Sequence, residues 1–249
     1  MVIRVGRVPY LDAEPFYFDM SRRGIAFHDL VPSQLASALR DGEIDACPLP
    51  LVDCFKLEEE VQPISGFCIA STGQSRSLSV YSKFPIEELG NSTIAVSDES
   101  TTAFRLLQIL LAMKYGVNPK EYVTVRDDHD AMLLIGNQAL RLRRGARGYP
   151  HKYDLGEEWT RWTGLPLVYA RWVVRKDLDP KDMALLEDTL YVGLEDGVDS
   201  LYHLADPRED LLMLPRDIIE YVQGLRYYIG MSEQRSINKF REYSDHLGN

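Results

Sequence analysis

A chain of 249 residues, 45% hydrophobic and 27% charged, with 17 glycines and 13 prolines, fits one large domain or two lobes and excludes disorder, collagen and coiled coil. Its formal charge of −10 at pH 7 repels nucleic acid and anionic membrane surfaces, so neither is an expected partner. A small anion is still an acceptable ligand, because helix N-termini or a few arginines can set the potential of a cleft against the global charge.

Short β-branched or apolar runs alternate with helical patterns, the signature of an α/β protein built from βα units around largely parallel sheets. The predicted strands are Val2 to Val8, Gly24 to Asp29, Ile44 to Pro48, Val61 to Ala70, Ser77 to Ser82, Thr93 to Ser97, Tyr122 to Val125, Ala131 to Ile135 and Leu167 to Val174. Helices are predicted over Pro32 to Asp41, which opens on Pro and stops at Gly42, and over Thr101 to Tyr115, which stripes Phe104, Leu107, Leu111 and Tyr115 and stops at Gly116. From Pro180 strand signals cease and four helical segments follow: Pro180 to Leu204, Arg208 to Leu214, Arg216 to Tyr228 and Ser232 to Leu247. Such a tail must pack back on something already built, and the first lobe is the expected surface. No Gly/Ser linker occurs, so two lobes would be joined by crossing strands, with Ser77 to Lys83 and Tyr169 to Lys176 as candidates.

Cys47, Cys54 and Cys68 sit in apolar stretches at spacings that match no zinc or CxxC pattern, and read as buried reduced thiols. No signal-peptide run and no stretch of about 18 apolar residues is present, so the expected location is the cytoplasm. Neither a GxGxxG, nor a P-loop, nor a Gly-x-Ser-x-Gly elbow occurs. Asp127-Asp-His-Asp130 lacks converging partners and reads as a solvated loop rather than a metal site, as does the basic run Arg141, Arg143, Arg144 and Arg147.

Three segments could carry chemistry. Ser71 to Ser82 holds five serines and a threonine; if extended, Ser71, Gly73, Ser75, Ser77 and Ser79 share one face, either a wall of hydroxyls or a polar edge strand. Ser100, Thr101 and Thr102 open the long helix, as a plain N-cap or as an anion site at the positive end of its dipole, where Asp98 and Glu99 would compete with a ligand. Gly6 to Pro15 follows the first strand at its carboxyl end, where ligands collect in α/β folds, and presents Arg7, Tyr10, Asp12 and Glu14.

Several of these stretches, with Gly42-Glu-Ile-Asp-Ala46, Leu134-Ile-Gly-Asn-Gln-Ala-Leu140, Tyr153-Asp-Leu-Gly-Glu-Glu-Trp159, Thr163-Gly-Leu-Pro166 and Tyr221-Val-Gln-Gly-Leu-Arg-Tyr-Tyr-Ile-Gly230, resemble in order the menaquinone-biosynthesis family of the futalosine pathway, and within it the members that dehydrate chorismate. The resemblance implies a two-lobed fold like that of type II periplasmic binding proteins, residues 1–82 with 176–249 forming one lobe and 83–175 the other. It implies conversion of chorismate, a small anionic substrate, to 3-[(1-carboxyvinyl)oxy]benzoate and water, with no metal and no organic cofactor. Its motifs fall on Tyr10, Asp12, Ser77, Ser100, Thr101 and Thr102, with Asp12 and Ser77 expected at the reacting centre; Arg7 and Ser75, from the residue pattern itself, and Asn137 join Tyr10 and the three hydroxyls as expected substrate-binding residues, and nothing signals an oligomeric state.

Two positions depart from the family pattern: Asp12 stands where the family has Asn, and Asn137 where it has Asp. An ionised Asp12 would repel a dianion, or serve as a base; the paired exchange conserves charge and would compensate if the two groups faced each other across the cleft. The same fold without chemistry, a small-anion binding protein or sensor, is the alternative. A third reading, the sister enzyme that makes 1,4-dihydroxy-6-naphthoate, lacks its expected N-terminal Ser-Pro-Cys-Pro-Asn-Asp-Thr stretch.

Overall fold

The computed structural model describes residues 2–248. Strand β1 (Arg4–Arg7) leads through a loop and short 3-10 turns to β2 (Ala26–Asp29), and α1 (Pro32–Arg40), β3 (Ala46–Pro50), α2 (Leu51–Lys56) and the long β4 (Val61–Ser71) follow. Then come β5 (Leu78–Ser82), β6 (Thr93–Val96), α3 (Thr102–Ile109) with a π-helical continuation Leu110–Tyr115, β7 (Glu121–Thr124), β8 (Ala131–Ile135), α4 (Gly136–Arg141), β9 (His151–Asp154) and α5 (Leu155–Thr163). The chain closes with β10 (Leu167–Arg175), α6 (Pro180–Tyr202), α7 (Pro215–Gln223), β11 (Leu225–Tyr228) and α8 (Met231–His246).

Two sheets result, ordered β11-β4-β10-β3-β1-β2 and β7-β6-β8-β5-β9. Both are mixed rather than largely parallel: β1 pairs parallel with β2 and β3, and β6 with β7 and β8, whereas β10 runs antiparallel to β3 and β4, β11 to β4, and β5 to β8 and β9. A strand buried on both faces reads as the same apolar run in either direction, so its sense is fixed only by what it pairs with. Strand β5 lies wholly in the second sheet and β10 wholly in the first. The links between sheets are therefore residues 72–77 and 164–166, not Ser77 to Lys83 and Tyr169 to Lys176, and the expected segment boundaries shift accordingly. The row of serines is broken at the same place, because Arg76 turns the chain with a positive φ of 59°.

Among the described residues two strands were missed by sequence pattern, β9 and β11. The residues of β11, Leu-Arg-Tyr-Tyr, follow α7 directly and read as its continuation; Gly224 ends the helix instead, and β11 completes the first sheet against β4. The tail thus returns to the first sheet, as expected. Its longest helix, α6, crosses the loop after β1 so closely that a Cβ on Gly197 would lie 2.3 Å from the Pro15 carbonyl oxygen. Phe16, fully buried one residue on, packs its ring 5.3 Å from both Trp172 and Tyr227 and 6.0 Å from Phe67. Together these contacts clamp residues 10–17 onto the sheet. The three cysteines are free, Cys47 and Cys68 buried and Cys54 half-buried.

Candidate active site

Where the two sheets face each other lies a cleft of about 70 Å³. The first sheet contributes Val8, Pro48, Pro50, Ile69 and Tyr169, and the second lobe contributes Leu78, Glu99, Thr101, Thr102 and Gly136. The volume holds a few waters and falls below the several hundred Å³ of small-molecule sites.

Asp12 forms the floor. It is 6% exposed, and the Tyr221 hydroxyl donates to its Oδ2 at 3.2 Å. Burial pushes its carboxyl up from 3.8 to about 6, with the Tyr221 hydrogen bond pulling the other way. Tyr169, Tyr221 and Tyr227 surround it; burial raises all three phenols, and the Asp12 charge adds to each. The Tyr169 and Tyr227 hydroxyls are buried without a hydrogen-bond partner. This tyrosine cage was missed in the sequence, because its members come from β10, α7 and β11; the one available signal was a phenol inside otherwise apolar buried runs.

Tyr10 closes the cleft from above. Its hydroxyl donates to Glu99 across the two lobes, and burial, then Glu99, push its pKa far up. Its ring lies on Gly136, where a Cβ would come within 2.8 Å of three ring atoms and where φ is +52°. Asn137 grips the same loop: Nδ2 donates to the Pro9 carbonyl at 2.8 Å and Oδ1 accepts from the Leu11 N–H at 3.3 Å. Asn137 therefore holds the backbone that carries Asp12 rather than facing its carboxylate, and the paired exchange is not a direct charge compensation.

The remaining expected residues divide. Ser77 is fully buried, its Oγ donating to the Ser75 carbonyl at 3.3 Å, and it lies close enough to Tyr221 to moderate that phenol. Ser75 is structural: its N–H and Oγ both donate to Asp154 Oδ1, at 2.8 and 3.0 Å, and Asp154 also accepts from the Arg76 N–H and caps α5 at Glu157. Arg7 turns outward to Asp29, with contacts of 2.5 and 2.9 Å, and covers the Phe27 ring. It does not line the cleft.

At the start of α3, Thr101 and Thr102 line the cleft, Thr102 Oγ1 accepting from the Val52 N–H at 3.3 Å. Ser100 and Thr101 keep buried hydroxyls without partners, and Thr101 caps no backbone N–H. Spare donors and the helix start suit a carboxylate. Among the described lining residues there is no Lys or Arg, and the charged groups are Asp12 and Glu99. Of the two sources of positive potential considered, arginines are absent from the described lining, so any anion there is held by hydroxyls and backbone N–H groups.

Residues 3–246 match the model of a family described as menaquinone biosynthesis. The chain belongs to that family. A curated relative from Thermus thermophilus, named chorismate dehydratase, is 22% identical over 258 residues, spanning 96% of this chain and 93% of the relative. Among solved structures, a protein of Archaeoglobus fulgidus superposes with a TM-score of 0.77 at 18% identity, covering 99% of this chain and 97% of the other. A conserved Candida albicans gene product with the generic periplasmic-binding-protein fold superposes at 0.59 and 9% identity, over 100% and 92%. The alkanesulfonate-binding protein of Xanthomonas axonopodis pv. citri, bound to MOPS, superposes at 0.62 and 11% identity, over 98% and 91%. This member of the menaquinone biosynthesis family therefore has the two-lobed α/β fold of periplasmic binding proteins. Among its described residues no helix is long and apolar enough to cross a membrane.

Proposed function

We propose that the protein is a chorismate dehydratase, a hydro-lyase that converts chorismate to 3-[(1-carboxyvinyl)oxy]benzoate in the futalosine route to menaquinone. The observation that carries the reading is the buried Asp12 carboxylate, held near pH 6 against Tyr221, at the floor of a cleft whose opposite wall offers the unpartnered hydroxyl of Thr101. A base of that pKa is largely ionised at pH 7 yet still holds a proton well. Family membership and the name of the Thermus thermophilus relative support the substrate.

In this reading the lobes part, Tyr10 releases Glu99, and the substrate carboxylates settle at Thr101, Thr102 and the first N–H groups of α3. Asp12 takes the proton from the ring carbon that bears the enolpyruvyl ether, and the neighbouring hydroxyl leaves as the ring becomes aromatic. The C–H and C–O bonds break, the proton departs with the hydroxyl as water, and Asp12 ends ionised as it began. Tyr221 holds the carboxylate by its hydrogen bond, and Ser77 lies beside that phenol. The free cysteines support a reducing compartment, the cytoplasm.

The test is purified protein with chorismate, following the benzoate product. Its appearance, with an acid limb near pH 6, supports the reading, and its absence at high protein concentration overturns it. The alternative, the same fold as a non-catalytic small-anion binding protein, requires affinity for chorismate without chemistry. Chorismate binding without turnover would establish that instead.

A further inference from the structure

Between β10 and the helices α2 and α8 lies a hollow of about 370 Å³ that shares no lining residue with the cleft. Its volume falls in the range of small-molecule sites. Arg171 rises from the middle of β10, where its strand neighbours are Leu49 of β3 and Cys68 of β4. Its Nε is buried with no hydrogen-bond partner. Glu58 is the one carboxylate among the described lining residues, and Arg241 already holds it at 2.9 Å while lying 4.4 Å over the Phe55 ring. On the α8 rim, Gln234 Nε2 donates to Asn238 Oδ1 at 3.0 Å, which leaves the Asn238 amide nitrogen free to donate.

A half-buried guanidinium with an idle donor is costly unless something anionic meets it, and a planar carboxylate matches its fork. The rest of the wall, Phe55, Val173 and Ile237, is apolar and suits a hydrocarbon body. We propose that this hollow is a second binding site, for a small organic carboxylate, with Arg171 taking the carboxylate and Asn238 assisting from the rim. The site is independent of what the cleft does.

Calorimetric titration of the full chain with benzoate tests it, with inorganic phosphate as comparator. The wild type binds benzoate, and Arg171→Met weakens that binding by about tenfold or more. No benzoate binding, binding of phosphate alone, or benzoate binding kept in Arg171→Met overturns the proposal. If Arg171→Met does not fold, wild-type crystals with 4-bromobenzoate decide: anomalous bromine density in the hollow supports the site, and its absence there refutes it.

Discussion

The floor and the opposite wall of the cleft are built on opposite principles. At the floor, Asp12 is enclosed by three tyrosines and clamped from behind by Phe16 and Gly197, so its position is fixed by packing and its charge is held at an energetic cost. At the wall, Thr101 keeps a hydroxyl that makes no hydrogen bond, as does its neighbour Ser100 just outside the cleft lining. In the proposed reaction this contrast separates a reacting end, fixed in position and raised in pKa, from a binding end with spare hydrogen-bonding capacity that costs the fold little to change.

Asp12→Asn breaks the contrast most severely. Turnover of chorismate falls by about a hundredfold or more, the scale of a lost general base; a rise would mean that the carboxylate hinders the reaction. The same change reports on stability. The folded carboxyl keeps its proton up to about pH 6 against 3.8 in its ordinary state, so the native protein binds more protons than the unfolded chain between those values. Stability therefore drops as pH rises through this window, by about 3 kcal/mol. Denaturant melts at pH 4 and pH 7 show that drop in the wild type and a flatter profile in Asp12→Asn.

Gly197→Ala attacks the clamp rather than the carboxylate. Its new Cβ meets the Pro15 backbone, and thermal melts register a loss of about 1–3 kcal/mol with a parallel fall in activity. Unchanged stability would mean that the loop yields freely. Tyr221→Phe sharpens the floor: the fold loses about 1 kcal/mol, and because the lost hydrogen bond favours the ionised form, the acid limb of the pH profile moves above pH 6. At the wall, Thr101→Ala changes stability by less than about 0.5 kcal/mol, since its hydroxyl bonds to nothing, while chorismate affinity measured by titration drops severalfold. Equal affinity would remove the wall from the site.

Much of the first sheet was legible, because β3 is an unbroken run of buried residues and β4 ends in one, and α3 announces itself by a one-sided apolar stripe. Thr101 and Thr102 were legible for the same reason: a helix start is a local event. Ser75 and Arg7 misled because their types suit ligand binding, yet each found a nearer partner, Asp154 and Asp29, that only the fold brings within reach. Glu99 was foreseen as a competitor at the α3 start, but not its partner Tyr10, some ninety positions away in the other lobe.

By itself the sequence determined the α/β character, the return of the C-terminal tail to the first sheet, and the loop with Asp12 as a place to look, because periodicity, helix stops and residue type are local. The tertiary structure alone decided strand direction, the points where the chain passes between sheets, the tyrosine cage and the latch of Tyr10 and Asn137 across the cleft. Each of these depends on which distant surfaces exclude water together, and burial is what turns Asp12 from an ordinary carboxylate into one that protonates near pH 6.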